Sequence, residues 1–476
     1  MALINPDKLT KVKHKATGIL NRVIDQQVNL AVTGLSRSGK TAFITSLVNQ
    51  LVNENSNSQL SFFNPVYEGR FIAAKRVPQK HFHIPRFDYD NAIYCLEQPQ
   101  PSWPEPTVGI SEIRLAIRYK PKHSLLKYVD DTATLYVDIS DYPGEWLLDL
   151  PLLNQTFEEW SEQMNGLLKQ APRKEYAEQF IANLAQLDPF QAPDEVLLKE
   201  LAEEYTQLLH HFRYKLGLSV IQPGRFILPG ELENAPILQF FPFLNFKDID
   251  ANAYQNAGDN TIIGMLRARF IEYKERVVRK FYQEHFLRFD RQIILADCLT
   301  PLNKGPNSFA DLQLAISLII ESFSYGKSSL LNRLFSPKIN KLLFAATKAD
   351  HVTPDQHENL VSLLNQLVFK TKKQLSFDNL TMKTLAIAGV KATSVGKTTY
   401  QGKSMPVIKG TRLSDNKLLT LFPGSVPAQI PDSDYWLQNP FKFVEFSPQV
   451  KTDPYQNLAH LRMDQVLQFL LGDKMK

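Results

Sequence analysis

The chain has 476 residues, of which 43% are hydrophobic and 22% charged, and a formal net charge of +5. That length is more than one ordinary core uses, so it predicts two or more domains, or one domain with large insertions. Nothing approaches ~18 consecutive apolar residues, which argues against a bilayer-spanning helix, and so dilute a positive charge argues against a nucleic-acid partner.

The opening stretch "MALINPDKLTKVKHK" lacks the apolar core of a secretory signal, and Cys95 and Cys298 stand far apart without metal-ligand spacing. Both features suit a cytoplasmic protein. Lys8, Lys11, Lys13 and Lys15 read as one solvated helix face, with peripheral contact to the inner face of the membrane as the alternative.

A β-branched run, "VNLAVT", then leads into "GLSRSGKTAF". Gly34, Gly39, Lys40 and Thr41 satisfy the phosphate-loop pattern, in which glycines let backbone N–H groups wrap an anion. Lys40 is expected to reach β- and γ-phosphates and Thr41 to ligate Mg²⁺, with Ser36, Ser38, Gly39 and Ala42 completing the cradle. "TAFITSLVNQLVN" supplies the helix that should follow.

Residues 56–105, rich in Phe, Tyr and Pro, are expected to form a small β-containing lobe. Within it His81 and His83 alternate as on one strand face, without the further ligands of a metal site. Trp103 could shield a nucleotide or pack on the core, and Thr107 resembles a switch threonine that closes over Mg²⁺. In "ATLYVDISDYPGEW" an apolar run ends in the D-x-x-G element Asp141–Gly144. There a carboxylate can hold Mg²⁺ and the Gly144 N–H can face a γ-phosphate.

About 200 residues separate Asp141 from Asp350, where two strand–helix repeats would need roughly 60. The surplus has helical apolar spacing and predicts a helical insertion at 146–290. Adjacent His210 and His211 point different ways on one of its helices and so should not pair. "RQIILADCL" resumes the core, and "LLFAATKADHV" carries Thr347-Lys348-Ala349-Asp350, a [NT]-K-x-D element followed by His351. Asp350 can accept the N1–H and exocyclic amine of guanine, a pattern adenine does not offer, while the Lys348 stem covers the ring. Ala392-Thr393 loosely matches the element whose backbone N–H meets the guanine carbonyl. "YGKSS" (325–329) and "VGKTT" (395–399) end like phosphate loops but lack the leading glycine, and both read as turns. An irregular stretch at 401–450 and a closing helix in 451–476 complete the chain.

Phosphate loop, Thr107, D-x-x-G, T-K-x-D and Ala392-Thr393 occur in the order of the Ras-like GTPases. With "DYPGEWLLDLPLL", "TPLNKG" and "TKADHV", the whole chain resembles the bacterial YcjX-like family of stress-associated P-loop GTPases. The resemblance implies an α/β fold: a Ras-like core with a mostly parallel sheet, a large helical insertion and smaller irregular or β insertions. The core would occupy 1–55 (with an N-terminal helix), 106–145 and 291–400. It also implies a cytoplasmic, Mg²⁺-dependent protein that hydrolyses GTP to GDP and phosphate, with the helical insertion free to engage a protein partner.

A second reading is a nucleotide-gated interaction module with negligible hydrolysis. A P-loop kinase is disfavoured by the T-K-x-D element. Glu145 occupies the place of the usual catalytic glutamine, where a carboxylate should position water less well and repel phosphate. Arg37 resembles the arginine finger of the guanylate-binding proteins. Its bland alternatives are solvent or a carboxylate of the insertion.

Overall fold

The computed structural model describes residues 26–35, 37–54, 59–122, 131–244, 246–323, 339–375, 380–438, 441–451, 453 and 456–476. The basic opening segment, Ser36 and the "YGKSS" stretch lie outside the described residues.

Seven strands form the central sheet: β1 (Gln26–Gly34), β2 (Phe71–Val77), β3 (Ser111–Tyr119), β4 (Ala133–Asp141), β5 (Arg291–Ala296), β6 (Lys341–Ala346) and β7 (Thr381–Ala386). Their spatial order is β2-β3-β4-β1-β5-β6-β7. The five strands from β4 to β7 run parallel; β2 and β3 are antiparallel additions at one edge. The fold is therefore α/β with a largely parallel sheet. β5 is buried along its whole length and β1 along most of it, as strands covered on both faces must be. The aromatic-rich stretch before Trp103 does not build a sheet of its own, because its strand β2 pairs with β3 in the central sheet.

Parallel strands place their carboxyl ends on one edge, where open α/β sheets bind ligands. Register makes this concrete: Val32 pairs with Asp141, Gly34 with Leu295, and Ala296 with Ala346. The segments after β1, β4, β5 and β6 thus leave the sheet side by side, which brings motifs hundreds of residues apart into one neighbourhood.

Between β4 and β5 lies a mainly helical region. Helix Phe157–Leu168 starts on a capping box, with Thr156 accepting from the Glu159 N–H and Glu159 from the Thr156 N–H. Helix Glu195–His211 starts on Asp194 and runs into the π turn Phe212–Leu216, which Gly217 stops in the left-handed conformation. Helix Ile262–Tyr273 begins at Thr261. Their apolar faces meet in an aromatic centre where Trp160 stacks on Phe270 and Phe240 lies edge-on to both. This centre is continuous with the apolar layer on one face of the sheet, beneath helices Pro306–Ser322 and His357–Leu375. The other face is covered by helices Lys40–Val52 and Met463–Leu471. Buried Arg291 of β5 ties the latter down through Asp473 and the Leu470 carbonyl.

A second, antiparallel sheet is formed by β8 (Thr393–Tyr400), at the end of the expected core, with β9 (Lys403–Thr411) and β10 (Leu418–Leu421) of the stretch expected to be irregular. "VGKTT" is accordingly not a turn but the middle of β8, fully paired with β9. A Lys-Thr-Thr run alternates across a pleat as readily as it turns, so the sequence alone misplaces it.

Candidate functional site

At the carboxyl edge of the sheet lies a cavity of about 450 Å³. Its walls include Gly34 to Phe43 among the described residues, Trp103, Thr107, Glu145, Arg213, the Thr347–His351 segment and residues 387–390. The volume suits a nucleotide-sized ligand.

The loop after β1 has a backbone that can receive an anion. Arg37 and Gly39 both take positive φ, 63° and 75°, the Ser38 N–H between them donates to the Leu35 carbonyl at 3.1 Å, and Gly39 immediately precedes helix Lys40–Val52. The helix N-terminus adds its partial positive charge. A Cβ on Gly34 would lie 2.1 Å from Ser38 Oγ, so only glycine lets the loop close on itself there. Gly144 is as constrained: its Cβ would fall 2.3 Å from the Gly34 carbonyl oxygen.

Lys40 Nζ sits 2.9 Å from Asp141 Oδ1 and donates to the Tyr142 carbonyl at 2.5 Å. Thr107 Oγ donates to Asp141 Oδ2 at 2.5 Å and lies 3.4 Å from Thr41 Oγ. Thr41, Thr107 and Asp141, which the sequence grouped as metal ligands, are therefore linked, with Thr107 in contact with both of the others. All three are oxygen donors, the chemistry that suits Mg²⁺, which takes one or two carboxylates plus hydroxyls, waters and phosphate. Asp138, three residues before Asp141 on β4, points elsewhere and bonds Gln27 and Arg114.

The opposite end carries the T-K-x-D segment. Asp350 is buried, and its Oδ2 accepts from the Ala392 and Thr393 N–H groups at 2.6 and 3.1 Å. Those two N–H groups are thus spent on Asp350 rather than turned toward a ligand. Ala392 and Thr393 stand behind the wall as supports for the carboxylate. Lys348 adopts positive φ, 58°, and pairs with Asp297 at 2.7 Å. Burial favours the neutral form of Lys348, but Asp297 more than offsets it and holds the ammonium charged. Thr347 is fixed to β5 through the Ala296 carbonyl. Buried His351 is kept toward its neutral form by desolvation and lies edge-on to Phe446, whose carbonyl accepts from Trp103 Nε1 at 2.8 Å.

Glu145, at the glutamine position, is buried and paired with Arg213 of the helical region at 2.9 Å. Arg37 is exposed and pairs with no carboxylate among the described residues; its Nη2 donates to the Tyr214 carbonyl at 2.9 Å. His81 meets Glu112, while His210 and His211 stack separately on Tyr214 and Tyr176. Among the described residues no His/Cys/Asp/Glu cluster of three or more could hold a metal.

Asp297 and Arg213 are the site residues that sequence reasoning overlooked. Asp297 ends a buried strand in "RQIILAD", the same signal that singled out Asp141, and could have been found. Arg213 is one of many basic residues on amphipathic helices, and nothing local marks it.

The model of the YcjX-like family, DUF463, matches residues 28–475. The chain belongs to the YcjX-like family. One curated relative, "Ras-like GTPase YcjX" of Escherichia coli (strain K12), is 48% identical over 468 residues, covering 98% of this chain and 100% of the relative. A protein of the same name from Shewanella oneidensis is 43% identical over 482 residues, covering 98% and 99%. YcjX-like family membership thus extends over the helical region and the second sheet as well as the phosphate loop.

Proposed function

We propose that this YcjX-like protein is a Mg²⁺-dependent GTPase that binds GTP in the cavity at the sheet edge and hydrolyses it to GDP and phosphate. The observation that carries the reading is the two-ended cavity, with a phosphate loop facing a carboxylate that is oriented by two backbone N–H groups. The loop N–H groups and Lys40 hold the β- and γ-phosphates. Oδ1 of Asp350 accepts from the guanine edge, because both protein donors take Oδ2. Trp103 and the Lys348 stem shield the base. Thr41, Thr107 and Asp141 would hold Mg²⁺, which when bound offsets charge on the β- and γ-phosphate oxygens. The names of the relatives support the guanine-nucleotide part of this reading. A stress-associated role as a cytoplasmic switch rests on the family resemblance alone. Among the described residues no helix is long and apolar enough to cross a membrane.

A second reading is a nucleotide-gated module with negligible turnover, whose helical region binds a protein partner. It is favoured by Glu145, which is committed to Arg213 and is not the glutamine that orients water in Ras-like proteins. Phosphate release by the purified protein separates the two.

Base choice tests what both readings share. The wild type is expected to prefer GTP to ATP by on the order of 10²-fold or more, since the wrong base leaves a buried carboxylate unpaired. Asp350→Asn should invert the preference toward xanthosine triphosphate, because an amide can donate to the new carbonyl. Equal competition by ATP and GTP for the wild type would remove the guanine assignment.

A further inference from the structure

The phosphate end of the cavity has a charge problem. Glu145 enters its wall directly after Gly144, which is pressed against the Gly34 carbonyl, so the carboxylate has no room to withdraw by backbone movement. Its side chain is 5% exposed, where little water screens it. A γ-phosphate placed beyond Lys40 would share the cavity with that carboxylate, and like charges in such a setting repel.

The helical region supplies the counter-charge. Arg213, 9% exposed in its side chain, faces the same cavity and meets Glu145 Oε1 with Nη2 at 2.9 Å. Its position is set by more than this pair. It belongs to the π turn Phe212–Leu216, and the carbonyls of that turn are held from the core side: Tyr214 by Arg37, and Lys215 and Leu216 by Lys304 Nζ. The turn is thus clamped to the phosphate loop by an arginine of the loop itself, with Arg213 paired to Glu145, which lines the cavity next to Gly144.

We infer that Arg213 is a positioning residue that admits the third phosphate: by neutralising Glu145 it lets the site accept a triphosphate, whereas a diphosphate does not need it. The inference rests on the guanine-nucleotide reading above. It makes the helical insertion a part of nucleotide discrimination and not merely a platform for partners.

The test is equilibrium titration of the full chain in Mg²⁺ with fluorescent GDP and a non-hydrolysable fluorescent GTP analogue. Arg213→Gln is expected to weaken the triphosphate analogue about tenfold or more while GDP changes by less than about threefold, as an unpaired like charge predicts. Removing the charge should repair the defect. The double variant Glu145→Gln/Arg213→Gln is expected to bind the analogue within about threefold of wild type, as double-mutant coupling requires. Arg213→Lys, which keeps the charge, is expected to retain the preference and shows that the position tolerates substitution. Equal losses for GDP and the analogue would make Arg213 a structural prop and overturn the inference. A loss that persists in the double variant would do so too, since it assigns Arg213 to the phosphate directly. A wild type that binds guanine nucleotide with Arg213→Gln indistinguishable from it overturns this inference alone. A wild type that binds neither nucleotide overturns the guanine reading along with it.

Discussion

Arg37 is a bulky residue in a backbone conformation that ordinarily costs a non-glycine residue about 1 kcal/mol or more. That conformation lies in the loop lining the cavity, where the following Ser38 N–H closes the turn on the Leu35 carbonyl. Its guanidinium is anchored on the Tyr214 carbonyl, and the residue lines the cavity. If it serves as a finger in cis, Arg37→Ala should lower kcat by on the order of 10³-fold, as for other arginine fingers, and leave GDP affinity nearly unchanged. Single-turnover phosphate release, run at dilute and at high protein concentration to allow for help from a second copy, reads this out. Turnover equal to wild type in both would leave Arg37 with the Tyr214 contact as its whole role.

The short helix Glu145–Leu148 that follows the D-x-x-G is buried and held closely by its neighbours. Gln222 Nε2 donates to the Leu148 carbonyl at 2.5 Å, and a Cβ on Gly224 would lie 2.4 Å from the Glu145 carbonyl oxygen. Asp149 accepts from the Gly224 N–H at 2.9 Å and from the Tyr273 hydroxyl at 2.5 Å, and Arg225 lies over the Trp146 ring at 3.5 Å. Burial pushes the Asp149 carboxyl up to about 7, and the hydrogen bonds from Tyr273 and Gly224 only partly oppose it. The folded state therefore holds this proton over a range where the unfolded chain, near 3.8, has lost it. Stability from this group falls as pH rises from about 4 to about 7 and is constant above. Asp149→Asn, which has no proton to lose, should gain stability relative to wild type across that window. Parallel thermal melts at pH 5 and pH 8 check the sign: a difference between the two proteins that does not grow with pH would show that Asp149 ionises freely in the fold.

At the scale of the whole molecule, what was legible in the sequence was what is local. The phosphate loop, the D-x-x-G and the T-K-x-D each carry their chemistry within eight or so residues, and each follows a buried strand whose apolar run is unmistakable, so the parallel sheet and its carboxyl edge could be anticipated together. The pairs that complete the site join distant segments: Glu145 to Arg213, Lys348 to Asp297, Asp149 to Gly224. No spacing rule selects one arginine of an amphipathic helix over another, and alternation alone did not separate strand from turn in "VGKTT". Those long-range pairs also decide how nucleotide state should spread. Adjacency in sequence suggested that 146–180 would respond first; the contacts add 212–228 and Tyr273, because Arg213, Gln222, Gly224 and Tyr273 all grip the Glu145–Asp149 segment. The apolar layer is continuous from Tyr142 and Trp146 through Trp160 to Phe270, so a shift of that segment has packed side chains to push against, not a loose linker. Amide exchange in the GDP and GTP-analogue states is therefore expected to differ over 146–180 and 212–228 while helix Met463–Leu471, on the far face of the sheet, stays the same. Exchange that changes only in the phosphate loop would mean that the clamp holds the helical region still and that any partner bound there is blind to the nucleotide.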